Sequence, residues 1–150
     1  MIQRIQTIWL LLATLVSALL FLDWYTGYVY KADIAQGLGS VVKRLTVTEH
    51  FPSLILVVVM ALIPLIAIFM FKNRKQQRTL TQVGILSCIA FISVNLMRIN
   101  SFTTSTAPTP TNGSYQPGSV LPLFVILFLI LAWRGISKDE KLVRSMDRLR

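Results

Sequence analysis

Apolar and polar positions are segregated into blocks along this chain. Four runs, Ile5 to Leu22, Phe51 to Phe71, Leu80 to Met97 and Val120 to Trp133, contain no Lys, Arg, Asp or Glu. A helix that crosses a bilayer needs about 20 apolar residues at ~1.5 Å rise each, and the first three runs reach or approach that length. The fourth covers only ~21 Å and has to extend, stay upright or thin the bilayer. The pattern predicts one all-α domain, a four-transmembrane-helix bundle with spans at 5–22, 51–71, 80–97 and 120–133. The first run is too long for the h-region of a signal peptide and ends without a small-residue cleavage site, so it is expected to stay as a span. Pro64 predicts a kink in the second span, and Ser119, with Pro122 close behind it, is the expected N-cap of the fourth.

The polar segments predict less regular structure. Trp24, Tyr25, Tyr28 and Tyr30 form an interfacial aromatic cluster after the first run. Short alternating stretches at 28–30 and 41–48 are compatible with a small β-hairpin. The segment 101–119 is rich in Thr, Ser, Pro, Asn and Gly and is expected to be a mobile loop. In the tail, 134–150, Gly135 permits a break, and Ser137-Lys138-Asp139-Glu140 is a capping box. A separate short amphipathic helix is therefore predicted there, with Leu142, Val143, Met146 and Leu149 as its apolar face.

Composition strengthens the membrane assignment. Hydrophobic residues make up 54% of the 150, above the roughly 45–50% of soluble domains. The formal charge of +9 is explained by where the basic residues fall rather than by a nucleic-acid partner, and none is expected. Eleven of the fifteen lie on the side of the termini and of the 72–78 link, against Lys31, Lys43, Arg44 and Arg98 on the other. By the positive-inside rule both termini are cytoplasmic.

Candidate chemistry is sparse. No ionisable residue lies inside a run, which argues against a proton-coupled transporter. His50 and Cys88 are single residues of their kinds, too few for a metal site or a disulfide, and no cofactor is expected. Small residues four apart, Ala13 with Ser17 and Gly84 with Cys88, are candidates for helix packing. The candidate contacts for anionic lipid or a protein partner are Lys72, Arg74, Lys75 and Arg78 in the link, and Leu142, Arg144, Met146, Arg148 and Arg150 in the tail.

The opening MIQRIQT, the FKNRK after the second run and the closing KDEKLVRSMDRLR resemble a family of small four-span membrane proteins from Bacteroidota known only as a domain of unknown function. The resemblance covers the whole chain. It implies a bacterial cytoplasmic (inner) membrane protein and transfers no activity, ligand or catalytic residue. The expected function is a non-enzymatic scaffold or accessory subunit that presents its basic face to a cytoplasmic or membrane partner. The alternative is a small transporter or channel for an uncharged or lipid-like solute, with a cavity lined by Thr14, Ser17, Ser87 or Ser93.

Overall fold

The computed structural model describes residues 2–22, 28–36, 39–71, 73–106 and 110–147, with side chains for all of these except 2–4, 28, 35, 36, 39, 111 and 143–147. In chain order the elements are α1 (Ile2–Leu19), β1 (Tyr28–Gln36), β2 (Gly39–Thr46), α2 (Phe51–Phe69), α3 (Arg74–Ser105), β3 (Thr111–Tyr115) and α4 (Pro117–Asp147). The protein is mostly helical with a small three-stranded sheet. Three helices are long and apolar enough to cross a membrane: Phe51–Phe69, Arg74–Ser105 and Pro117–Leu142. The apolar part of α1, Ile5–Leu19, is shorter.

Each helix packs on its two neighbours in a closed ring, α1 on α2 and α4, and α3 on α2 and α4. Residues three and four apart share a helix face, and the buried positions follow that spacing: Leu10, Ala13 and Ser17 on α1, Val57, Met60, Pro64 and Ala67 on α2, and Val125, Leu129, Ala132 and Ile136 on α4. Local chemistry sets the starts. Pro52 lies in the first turn of α2, where its missing N–H costs nothing. Asn73 caps α3, its side-chain oxygen accepting from the Gln76 N–H at 3.3 Å.

At one end of the ring, β1 lies between β2 and β3 in the order β2-β1-β3, both pairings antiparallel. The hairpin expected at 28–48 is β1 and β2, with Ile34 opposite Val41 and Ala32 opposite Lys43. Val29, Tyr30, Ala32 and Ile34 are buried. The Tyr30 ring meets Phe102 and Tyr115 edge-on, with centroids 6.3 and 5.6 Å away.

Four expectations are corrected. The fold is not all-α, because the hairpin gains a third strand. The Thr/Pro-rich segment is not a mobile loop throughout: α3 runs on to Ser105, β3 pairs with β1, and Gln116 N–H donates to the Val29 carbonyl at 3.1 Å. Composition predicted disorder because the segment buries little of its own. The order comes from the edge of β1, about 85 residues earlier, whose backbone groups need partners. Third, the tail is not a separate helix. α4 passes through Gly135 and Ser137 unbroken to Asp147, so Ser137 is an interior residue and the capping box does not form. Ser119 is likewise inside α4, its hydroxyl donating to the Gln116 carbonyl at 2.7 Å.

Candidate functional site

The end of the ring opposite the sheet brings together the first turns of α1, the start of α3 and the last turns of α4. Arg74 and Arg78 lie four residues apart on α3 and so share a face. Asp139 and Glu140 on α4 meet them. Arg78 Nη1 donates to Glu140 Oε2 at 3.3 Å. Arg74 Nη1 lies 3.8 Å from Asp139 Oδ2. Asp139 is only 5% exposed, and its carboxylate also accepts from Gln6 Nε2 at 2.6 Å, joining residues 133 positions apart. A buried carboxylate persists only with a charge partner and hydrogen bonds, and α1 and α3 supply one of each.

Gly135 explains how Gln6 reaches this position. A Cβ there would sit 2.8 Å from Gln6 Cγ, so the residue that suggested a helix break is a notch in α4 that admits a side chain from α1. The Arg78 guanidinium also lies over the Trp133 ring, 5.5 Å from its centroid. Next to this cluster Gln77, buried, donates to the Ala67 carbonyl at 3.0 Å and ties α3 to the last turn of α2. Trp133 Nε1 and Ser137 Oγ are buried atoms without a hydrogen-bond partner among the described residues.

The other side of the same α4 segment is open. Arg134, Lys138 and Lys141 are exposed and spaced i, i+4, i+7, one row along the helix. Ala132, Ile136 and Asp139, on the same spacing, are fully or almost fully buried. Of the candidate contact residues, Arg74 and Arg78 are engaged by α4, whereas Lys75 and Leu142 are exposed. Arg144 and Met146 lie in the last turns of α4, where side chains are not described. Lys72, Arg148 and Arg150 fall outside the described residues. A cleft of about 540 Å³ between the end of α2 and the start of α3 is lined by Met70, Asn73, Lys75, Gln76, Thr79 and Leu80.

The candidate packing residues sit inside the ring. Ala13 and Ser17 are fully buried, and Ser17 Oγ donates to the Ala13 carbonyl at 2.8 Å and faces the Met60 carbonyl at 3.4 Å. Cys88 is fully buried. A Cβ on Gly84 would lie 3.2 Å from Leu129 Cδ1 and 3.3 Å from Ile63 Cγ2, so α2 and α4 both close on that position. Thr14, Ser87 and Ser93, named above as possible cavity-lining hydroxyls, donate to the carbonyls of Leu10, Gly84 and Ile89 on their own helices.

At the sheet end a second polar group surrounds Arg98. Its guanidinium donates to the Thr46 carbonyl at 2.5 Å and lies 3.9 Å from Glu49, which is largely exposed. His50 Nδ1 is 2.9 Å from Ser53 Oγ, which donates to Asn95 Oδ1 at 3.3 Å, and Asn95 Nδ2 donates to the Phe91 carbonyl at 2.9 Å. Burial, and then the charge of Arg98, push the His50 pKa below its usual 6.5. Ser53 is fully buried, and its hydroxyl reaches a neighbouring helix at Asn95. No group of three or more His, Cys, Asp or Glu that could hold a metal occurs among the described residues.

Sequence reasoning missed Gln6, Gly135 and Asp139 as one unit. The signal was present in the buried spacing of α4, since Val125, Leu129, Ala132, Ile136 and Asp139 continue one face past Trp133. A protein-family model described as a domain of unknown function (DUF4293) matches residues 2–149. No curated protein and no solved structure matches the chain.

Proposed function

The chain belongs to this family of unknown function, and from its geometry we propose that it is a four-span integral protein of the bacterial cytoplasmic membrane, with both termini inside. In this reading it is a non-enzymatic scaffold or accessory subunit whose cytoplasmic end is a fixed basic platform for a partner. One observation carries it. The last third of α4 is locked to α1 and α3 through the buried Asp139, while Arg134, Lys138 and Lys141 form an exposed row on its other side. Two acids pair with Arg74 and Arg78 internally, so among the described side chains of this end the charge left outward is that row together with Lys75.

The spans are α1 with the apolar turn after it, α2, α3 and α4. The four-to-eleven distribution of basic residues sets the orientation. From Trp133 to Asp147, α4 would carry the platform about 21 Å beyond the fourth apolar run. The row fits an acidic protein surface or the head groups of anionic lipid, where each Lys or Arg contributes about 1 kcal/mol.

Two measurements test this together. A reporter active only outside the cytoplasm is expected to be silent when fused after Arg150 and active when inserted near Asn112; the reverse overturns the orientation. Cross-linking of the tagged protein in native membranes is expected to give a defined partner species that disappears when Arg134, Lys138 and Lys141 are changed together to Glu. A species that survives this change, or the finding of lipid adducts alone, removes the protein-scaffold reading.

A further inference from the structure

The lipid-facing surfaces of the four helices are not alike. The exposed positions of α1 from Ile5 to Leu19, of α2 from Phe51 to Phe69 and of α4 from Val120 to Ile130 are all apolar. On α3 the exposed positions between Leu80 and Met97 are Gln82, Val83, Leu86, Ile89, Ser93, Leu96 and Met97, of which Gln82, Leu86, Ile89, Ser93 and Leu96 form one row. An outward row at helical spacing follows from any helix packed on one side. Polar side chains on that row do not follow from it.

Gln82 is the informative residue. It lies about 10 Å from the middle of the Leu80 to Met97 run at ~1.5 Å per residue, inside a hydrocarbon half-thickness of ~15 Å. Its carboxamide has no hydrogen-bond partner among the described residues. A carboxamide facing lipid without a partner is costly. The hydroxyl of Ser93 is satisfied by the Ile89 carbonyl at 2.9 Å and leaves a small side chain on the surface, where a second backbone can approach.

We infer that this row of α3 is the contact face of a homodimer, with a second copy of the chain as its occupant. Copies inserted with the same topology place their α3 helices parallel, and a two-fold axis along the membrane normal then sets each position of the row opposite itself. A carboxamide both donates and accepts, so Gln82 is complementary to its own copy, which is the property a two-fold interface requires. The alternating steps of four and three residues from Gln82 to Leu96 average 3.5. That is the period of a left-handed seam crossing at about +20°. The row lies opposite the side of α3 that carries Gly84, Cys88, Phe91 and Asn95 into the ring, so pairing leaves each bundle intact. Lys75 continues the row beyond the apolar run, where its long exposed side chain can turn into water.

The inference rests on the four-span reading only in placing α3 in lipid, and the reporter fusions test that reading separately. The protein serves as its own control, because its single cysteine, Cys88, is fully buried. Single cysteines are introduced by Ile89→Cys and Leu96→Cys on the row, and by Ile55→Cys on α2 and Leu123→Cys on α4. Each variant is oxidised in native membranes. Disulfide-linked species of twice 16.9 kDa are expected from the two row variants, and neither from the two control variants nor from the unsubstituted protein. Adding Gln82→Leu to Ile89→Cys is expected to weaken dimerisation by between about threefold and thirtyfold, while Gln82→Asn retains part of it. The inference is overturned by row variants that stay monomeric, by equal linkage at Ile55 or Leu123, or by a phospholipid or a different protein found bound along α3 in place of the second copy.

Discussion

The two ends of the ring hold α3 in opposite ways. At the sheet end, Arg98 of α3 binds a backbone carbonyl, that of Thr46, and its nearest acid, Glu49, is largely exposed at 3.9 Å. At the other end, Arg74 and Arg78 meet carboxylates on α4, and the buried Asp139 draws in Gln6 from α1 as well. A backbone carbonyl is present whatever the residue type, so the sheet-end contact survives most substitutions of Thr46. The opposite end is a side-chain agreement among three helices, and a change to one member strands the others. The difference shows where the sequence specifies position most tightly, which is at the end we assign to the cytoplasm.

The largest expected effect comes from removing the centre of that agreement. Asp139→Ala leaves the Gln6 amide buried and Arg74, which is partly exposed, without its acid. The loss is expected to be about 3 kcal/mol, the lower end of the range for breaking a buried pair. Glu49→Ala should cost under about 1 kcal/mol, as exposed pairs do. Thermal unfolding of both variants in one detergent checks the contrast, and equal losses would erase the distinction between the ends.

Next in size is Gly84→Leu. Both Leu129 and Ile63 already stand at 3.2–3.3 Å from where a Cβ would be, and overpacking of this kind costs about 1–3 kcal/mol. Leu86→Ala, on the exposed row, should lie well below that in the same unfolding assay. Because Gly84 lies ten residues, about 15 Å, along α3 from Arg74, its effect should add to that of Asp139→Ala, whereas changes inside one cluster should not add.

A smaller effect reports on the notch in α4. Gly135→Ala displaces Gln6 and is expected to destabilise the protein. In a Gln6→Ala background the same change should become stabilising by up to about 1 kcal/mol, the helix-propensity gain of Ala over Gly. A double-mutant cycle in detergent measures this sign reversal. The same sign in both backgrounds would mean that Gly135 serves something other than admitting Gln6.

The smallest effect belongs to the sheet end and to pH. Folding lowers the His50 pKa below 6.5, so the unfolded chain binds the proton more readily. The stability contributed by neutral His50 is therefore present above about pH 6.5 and is lost as pH falls through 6.5 towards the folded value. Unfolding midpoints at pH 7.5 and 5.5 should differ more for the unsubstituted protein than for His50→Gln. An unchanged difference would place the pH response elsewhere.

The sequence was legible where structure is local. Uninterrupted apolar runs marked all four helices, and alternation at 28–30 and 41–48 marked the hairpin. It was misleading where a distant partner decides. Thr111 to Tyr115 has the composition of a loop, and becomes a strand because β1 offers a free edge and because Asn112 tolerates φ of 51°. Gly135 and Ser137 have the chemistry of a break and a cap, yet helix continues through both because Gln6 fills the space beside Gly135 and Asp139 holds it there. Of the candidate site, the identities of Arg74 and Arg78 were readable but their engagement was not, since nothing within four residues of either is acidic.

In the proposed reading the last third of α4 is a fixed part of the bundle that carries its basic row at a set place. Spin labels at Lys75 and Lys141, both exposed, read this directly in membranes through the distribution of distances between them. A single narrow distribution that broadens in Asp139→Ala is the predicted result. A broad distribution in the unsubstituted protein, unchanged by Asp139→Ala, would mean that this end of α4 is not held by the bundle.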